Sequence, residues 1–103
     1  MPRYKLVVEY DGRAYCGWQW QDNGRAVQQA VEEAIARFAG HAARVQCAGR
    51  TDAGVHATHQ VVHVDLDKAW RTDTVRDATN AHLKPEPVAI LSAEGVGEDF
   101  DAR

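Results

Sequence analysis

The sequence predicts an α+β fold in which an antiparallel sheet carries its helices on one face. Three observations support this prediction. Apolar residues alternate in short runs, they recur every three or four positions in two longer runs, and these runs follow the order strand, helix, strand, strand, helix, strand. That order is the ferredoxin-like split β-α-β-β-α-β arrangement. A chain of 103 residues is long enough for one such domain with a buried core.

The first half of the chain is predicted to hold a strand, a helix and a second strand. Residues 3–10 alternate and are rich in Val and Tyr, which is typical of a strand, whereas residues 11–24 are irregular. A helix is then predicted, which Gly40 ends. One face of this helix carries Val27, Ala30, Val31, Ala34, Ile35 and Phe38. Residues 44–48 form a short apolar run that predicts the second strand.

The second half is predicted to hold two strands around a helix. Residues 59–66 predict a strand, with Val62, Val64 and Leu66 on one face and His63 and Asp65 on the other. A helix is predicted from Thr72 to His82, and Thr72 or Asp73 can cap its start. Pro85 and Pro87 end it. Its shared face is expected to carry Val75, Ala78, Thr79 and His82. Residues 88–93 predict the last strand, and the tail 97–103 shows no turn or cap that would finish a domain.

Composition indicates an ordinary globular chain in the cytoplasm. Its residues are 45% hydrophobic and 26% charged, and no stretch approaches the roughly 20 apolar residues that span a membrane. No apolar signal segment follows Met1. Cys16 and Cys47 are expected to be reduced and structurally incidental, and Cys47 is expected to pack in the core.

The net charge of −3 is unevenly distributed along the chain. Residues 1–50 carry seven Lys/Arg against five Asp/Glu, and the remainder carries five against ten. Arginines in the first half could form a local basic face that contacts RNA phosphates, or they could be ordinary solvated surface. These arginines are Arg13, Arg25, Arg37, Arg44 and Arg50.

A nine-residue segment between the second and third strands holds the strongest functional signal. Residues 49–57 read Gly-Arg-Thr-Asp-Ala-Gly-Val-His-Ala. Arg50 lies two positions from Asp52 and would keep that carboxylate ionised, while the glycines permit tight turns. An ionised carboxylate on a loop can act as a nucleophile or as a proton acceptor. The structural alternative is an ion pair that merely closes the loop.

The histidines raise a third possibility, a metal-dependent hydrolase. On a helix, the spacing of His56, His59 and His63 would place three ligands on one face. The alternation around His63 predicts a strand instead, on which His59 and His63 lie roughly 13 Å apart at about 3.3 Å per residue. Ligands bind a metal at about 2 Å, so these two cannot share one ion, and no metal site is expected.

Aromatic residues in the irregular segment offer base-stacking surfaces. Tyr15, Trp18 and Trp20 could each contribute roughly 1–3 kcal/mol by stacking on a base. Trp18 is instead expected to fill the core beneath the loop, and Gln19 is expected to make a polar contact. Asn80, in the second predicted helix, is expected to buttress the Asp52 loop.

Several of these residues belong to an ordered series of motifs that runs along the whole chain. The series comprises Tyr10-Asp11-Gly12, Gly17-Trp18-Gln19, Val27-Gln28, Gly49 to Ala57 with Gln60-Val61, Asn80, and Phe100-Asp101-Ala102-Arg103. In this series the chain resembles the N-terminal half of the tRNA pseudouridine synthase A family. The Asp52 loop is highly specific, whereas the other motifs are specific only as a series.

This resemblance implies isomerisation of uridine to pseudouridine in the tRNA anticodon stem–loop, at positions 38–40, without cofactor or metal. Asp52 matches the family's catalytic aspartate, which would attack the sugar C1′, attack the base, or take a proton from C2′. Arg50 would orient Asp52 and hold the nucleotide once it has left its stack. The expected RNA contacts are Arg50, Thr51, Gly54, His56, Gln19, Arg13 and Arg25, with His56 shaping the loop or touching RNA.

The same resemblance implies that the active site is completed elsewhere. Family members have two similarly folded halves, and the second supplies the aromatic residue that stacks on the uracil and a further basic residue. Residues 1–103 are therefore expected to be an N-terminal catalytic-aspartate domain with little activity alone, within a homodimeric enzyme. The alternative is that the chain is not an enzyme but a ferredoxin-like RNA-binding module.

Overall fold

The computed structural model describes residues 1–15, 18, 25–47 and 57–102. Within these ranges all six predicted elements are present. The strands are β1 (Arg3–Tyr10), β2 (Gln46–Cys47), β3 (Ala57–Asp65) and β4 (Val88–Val96), and the helices are α1 (Val27–Ala39) and α2 (Thr72–Leu83). A short 3₁₀ helix at Gly12–Ala14 follows β1.

The four strands form one antiparallel sheet in the order β2-β3-β1-β4. This order confirms the α+β, ferredoxin-like prediction. At one end of the sheet, Tyr10 pairs with both Ala57 and Val88; we call this the loop end. At the opposite end, Arg3 pairs with both Asp65 and Val96.

The core lies between the sheet and the two helices. Alternate side chains of β1 and β3 are buried, as the period of two requires. The contributors are Tyr4, Leu6, Val8 and Tyr10 from β1, Val62 and Val64 from β3, and Val27, Val31 and Ile35 from α1. Burying each large aliphatic side chain stabilises the fold by roughly 1.5–3 kcal/mol. Gly40 ends α1 as predicted, with a φ of 82° that favours glycine.

Two details of α2 differ from the predictions. Neither Thr72 nor Asp73 caps the helix, because Arg71 occupies that position without a side-chain cap and pairs instead with Asp73. His82 is exposed, and Leu83 is buried in its place. The buried residues Val75, Thr79 and Leu83 recur every four positions, so the face that meets the core turns toward Leu83 rather than His82.

The last strand is longer than predicted and contains a bulge. β4 runs to Val96 because β1 offers it partners as far as Arg3. The pairing shifts between Val8 with Ile90 and Val7 with Ser92, which leaves Leu91 as the extra residue. Leu91 is accordingly exposed on the surface.

Asn80 ties α2 to β4 beside this bulge. Its Nδ2 donates to the carbonyl of Ile90 at 3.0 Å, and its Oδ1 accepts from the Ile90 N–H at 2.7 Å. The expected contact with the Asp52 loop falls outside the described residues. In the described part of the chain, Asn80 supports the strand rather than a loop.

Removing this amide should destabilise the domain. We expect Asn80→Ala to lower the free energy of unfolding by about 1–3 kcal/mol, because two partly buried backbone groups lose their partner. Urea denaturation of the chain measures the change. The control is His82→Ala, which alters an exposed residue on the same helix. If the free energy of unfolding falls no further than in the control, water satisfies the Ile90 backbone groups as well as the Asn80 amide does.

The tail also differs from the prediction that it lacks a turn. The N–H of Phe100 donates to the carbonyl of Gly97 at 3.0 Å, which closes a turn. Ala102 is buried against the rest of the domain. No helix in the described residues is long and apolar enough to cross a membrane.

Candidate active site

The predicted catalytic segment, residues 49–57, lies between β2 and β3 except for Ala57, which begins β3. The chain leaves β2 after Cys47 and rejoins the sheet at Ala57, at the loop end. Asp52, Arg50, Thr51, Gly54 and His56 all lie outside the described residues, as does Gln19. Their roles stay predictions. The described residues show the scaffold on which this segment is mounted.

Asp11 organises the exit of β1 at the loop end. Its N–H donates to the carbonyl of Pro87 at 3.0 Å, which links the end of β1 to the turn before β4. Its carboxylate accepts from the backbone N–H of Arg13 at 3.0 Å and from Nη2 of the same residue at 2.6 Å. Arg13 is 78% exposed at its side chain, so this cation faces solvent. The hydrogen bonds that the Arg13 guanidinium donates to the Asp11 carboxylate raise the pKa of Arg13.

Arg25 joins three parts of the chain next to the loop end. Its guanidinium pairs with Glu86, at 3.0 and 2.9 Å from Nε, and with Glu33 of α1, at 3.0 Å from Nη2. Tyr15 donates its hydroxyl to Glu86 at 3.0 Å. The segment before α1, the helix itself and the turn before β4 are thereby held together.

The charges in this network stabilise one another. Hydrogen bonds from Arg25 and then Tyr15 hold the pKa of Glu86 below its ordinary value. The pKa of Glu33 is lowered chiefly by its hydrogen bond from Arg25, and that of Arg25 is raised chiefly by Glu86. Burial, followed by the bond to Glu86, raises the pKa of Tyr15. All four groups keep their ordinary ionic states at neutral pH.

Arg25 was predicted to contact RNA, and its donors are occupied by these two carboxylates. The prediction of a phosphate contact stays open, but the described contacts indicate a structural role. The described arginines of the first half do not form one face, although Arg25 and Arg37 line the same depression. Arg13 and Arg25 lie near the loop end, whereas Arg44 lies in a depression with Arg3 toward the opposite end. Arg50 lies outside the described residues.

Trp18 fills the core as predicted. It is 2% exposed, and its ring lies 6.2 Å from that of Tyr10 between centroids. Its carbonyl accepts the N–H of Gln28 at 2.9 Å, so Trp18 is fixed to the start of α1. Tyr15 is 5% exposed and is therefore not a stacking surface. Trp20 lies outside the described residues.

The predicted strand around His63 is confirmed by β3, on which His59 and His63 lie four residues apart. In the described residues, no three His, Cys, Asp or Glu side chains lie close enough together to hold a metal ion. Cys47 packs against the core, as expected.

Sequence reasoning missed Glu86 as the centre of a network. The sequence feature that could have indicated this role is the position of Glu86 between Pro85 and Pro87, where a turn fixes the backbone. Its partners Tyr15 and Arg25 are 71 and 61 residues away in sequence, and no local pattern joins them.

Neutralising Glu86 should give a pH-dependent loss of stability. We expect Glu86→Gln to lower the free energy of unfolding by about 1 kcal/mol at pH 7, since the group is partly exposed. The pKa of Glu86 is lowered on folding, so its carboxylate stabilises fully above the ordinary pKa of 4.5. That contribution disappears as the pH falls through the lowered pKa.

Urea denaturation at pH 7 and at about pH 3 measures this difference, with the exposed Glu94→Gln as the matched control. The gap between Glu86→Gln and the unsubstituted chain should shrink at the lower pH. A gap of equal size at both pH values would exclude an ionic contribution.

Comparison with known proteins places the chain in a family. A family model described as tRNA pseudouridine synthase matches residues 6–103. The chain is 77% identical over 103 residues to a tRNA pseudouridine synthase A of Methylobacterium sp. (strain 4-46), and 75% identical to that of Methylobacterium nodulans. It is 63% identical to that of Afipia carboxidovorans.

Each of these alignments covers the whole of this chain and 41–42% of the relative. The chain thus spans about two fifths of the length of the curated relatives that it matches. The family match extends from β1 through the Asp52 segment and α2 to the tail. The chain belongs to the tRNA pseudouridine synthase family.

Proposed function

We propose that this chain is the N-terminal, aspartate-bearing half of an enzyme that isomerises uridine to pseudouridine in tRNA. The proposed substrate is the anticodon stem–loop, at positions 38–40. The observation that carries the proposal is the family match over residues 6–103, which includes the segment around Asp52. The names of the relatives indicate the reaction class, and the resemblance to the tRNA pseudouridine synthase A family supports the proposed stem–loop specificity.

The reaction rearranges one nucleotide without changing its composition. The bond from N1 of the base to C1′ breaks, a bond from C5 to C1′ forms, C5 loses a proton and N1 gains one. No electrons are gained or lost, so the balance requires no redox partner. Asp52 would act by attack on C1′, by attack on the base, or by taking the proton from C2′.

The described scaffold supports this role because it is rigid at the loop end. The Asp52 segment rejoins the sheet at Ala57, beside Tyr10 and Val88. The neighbouring backbone is fixed by Asp11 and by the Arg25 network. A loop on a rigid support can hold a reacting group in position while the base is out of its stack. Arg50 would keep Asp52 ionised there.

The exposed Arg13 is the described cation best placed to contact tRNA. It stands at the loop end and is 78% exposed, so a phosphate can approach it. Its pairing with Asp11 orients the guanidinium without burying it. We propose that Thr51, Gly54, His56 and Gln19 contribute further contacts.

A second half would complete the site, since the relatives are more than twice as long. We propose that the full-length protein is a cytoplasmic homodimer in which that half closes the pocket over the extruded uridine. Residues 1–103 would then form one of its domains.

The proposal is tested by tritium release from tRNA labelled at C5 of its uridines. Full-length enzyme should release tritium only from an anticodon stem–loop with uridine at positions 38–40, and a stem–loop with cytidine there is the control. Binding without release would favour the RNA-binding module. Release from uridines elsewhere in the tRNA would contradict the proposed specificity.

A further inference from the structure

His63 is buried on the face of the sheet that the helices do not cover. Its neighbours Val62 and Val64 point toward the helices, so His63 points the other way, yet it is 4% exposed. Among the described residues, the tail (residues 97–102) covers it. The ring of Phe100 meets the imidazole edge-on with centroids 6.1 Å apart, and the N–H of Ala102 donates to Nδ1 at 3.1 Å.

Arg3 binds the same tail from the neighbouring strand. Its Nε and Nη2 donate to the two carboxylate oxygens of Asp65 at 2.8 and 3.1 Å, which fixes the plane of the guanidinium. Its Nη1 donates to the carbonyl of Glu98 at 2.9 Å and to the carbonyl of Phe100. The pKa of Asp65 is lowered chiefly by its hydrogen bond from Arg3.

The hydrogen bonds from Arg3 and to His63 hold the backbone of the tail, and the Phe100 ring adds a side-chain contact. Arg3 binds two carbonyls and His63 binds one amide, while the tail's own turn joins Phe100 to Gly97. The path of residues 97–102 is therefore fixed at several points. A buried histidine is costly unless it is hydrogen-bonded, so the bond from Ala102 also explains how His63 is tolerated there.

We propose that Arg3 and His63 are positioning residues that fix residues 97–102 on the open face of the sheet. We call the contacts of Arg3 and His63 with residues 97–102 the latch. In the proposed enzyme, the latch determines the position of the second half relative to the Asp52 segment. The inference rests on the proposed function. His63 lies six residues along β3 from Ala57, roughly 20 Å away at about 3.3 Å per residue. His63 is thus distant from the point at which the Asp52 segment rejoins the sheet, and its proposed effect on turnover is exerted through the position of the second half.

The test compares variants of the full-length enzyme by steady-state kinetics. His63→Leu and Phe100→Ala should lower kcat about tenfold or more, because small displacements of reacting groups cost large factors in rate. KM for tRNA should stay within about twofold, since uniform binding is untouched. His63→Asn should retain most of kcat, because its Oδ1 can accept the Ala102 N–H. His82→Leu, an exposed histidine on α2, is the control.

Hydrogen exchange at the Ala102 amide gives a readout independent of activity. Exchange should be slow in the unsubstituted protein and in His63→Asn, and faster in His63→Leu. If His63→Leu does not fold, the kcat of Phe100→Ala tests the proposal, because this substitution removes the ring that covers His63 and leaves the residues of the sheet unchanged.

The proposal is overturned if both variants keep the kcat of the His82→Leu control, or if His63→Asn is as impaired as His63→Leu. Failure of the proposed function has a different signature, since the unsubstituted enzyme would then release no tritium at all. In that case unprotected exchange at Ala102 in the unsubstituted protein would still reject the latch.

Discussion

Asp52→Asn in the full-length enzyme is expected to abolish pseudouridine formation while tRNA binding persists. The amide has the size of the carboxylate but is a far weaker nucleophile and cannot accept a proton at neutral pH. Loss of a nucleophile or general base costs about 100- to 10,000-fold or more in rate. Tritium release gives the rate, and a filter-binding titration gives Kd, which should change by no more than about threefold.

Asp77→Asn, which changes an exposed aspartate on α2, is the matched control and should retain full activity. Product formation by Asp52→Asn at the unsubstituted rate would remove Asp52 from the mechanism. Asp52→Ala adds a second comparison in the same titration. A binding module would lose affinity in this variant, whereas an enzyme loses turnover.

Residues 1–103 alone are expected to show no multiple turnover. The carboxylate would be present, but the groups that we assign to the second half would be missing, so the extruded base would lack half of its pocket. Tritium release with tRNA in excess over the chain measures this outcome. Cooperative unfolding in urea should confirm that the chain tested is folded. Turnover comparable with that of the full-length enzyme would contradict the division into two half-sites.

Much of the fold could be predicted from the sequence because its signals are local. Alternation in β1 and the three- and four-residue spacing in α1 depend only on neighbouring residues, and Gly40 marks a helix end by its own backbone preference. The order of elements then left few antiparallel topologies. The bulge at Leu91 and the full length of β4 could not be predicted, because they depend on the register with β1.

The long-range polar contacts were not predictable for a related reason. Arg25 with Glu86, and His63 with Ala102, join residues 61 and 39 positions apart, and nothing in the local pattern of either partner specifies the other. His63 was placed correctly on the face opposite Val62. Its burial could not be foreseen, because the segment that covers it has no regular structure to read.

The candidate site divides in the same way. The Asp52 segment was identified because nine specified residues form a signal that the fold does not require. Its supporting residues had to come from the structure, which shows Asp11 and the Arg25 network around the loop end. Arg25 illustrates the difference, since its sequence position suggested a phosphate contact and its geometry shows two carboxylate partners.

The most direct test separates the two halves and mixes them. Residues 1–103 and the remainder of the full-length protein would be produced apart, and tritium release from C5-labelled tRNA would be followed for each half and for the mixture. We expect release only from the mixture, and none when the first half carries Asp52→Asn. Equal release from the second half alone would mean that the aspartate at position 52 is not the group on which the reaction depends.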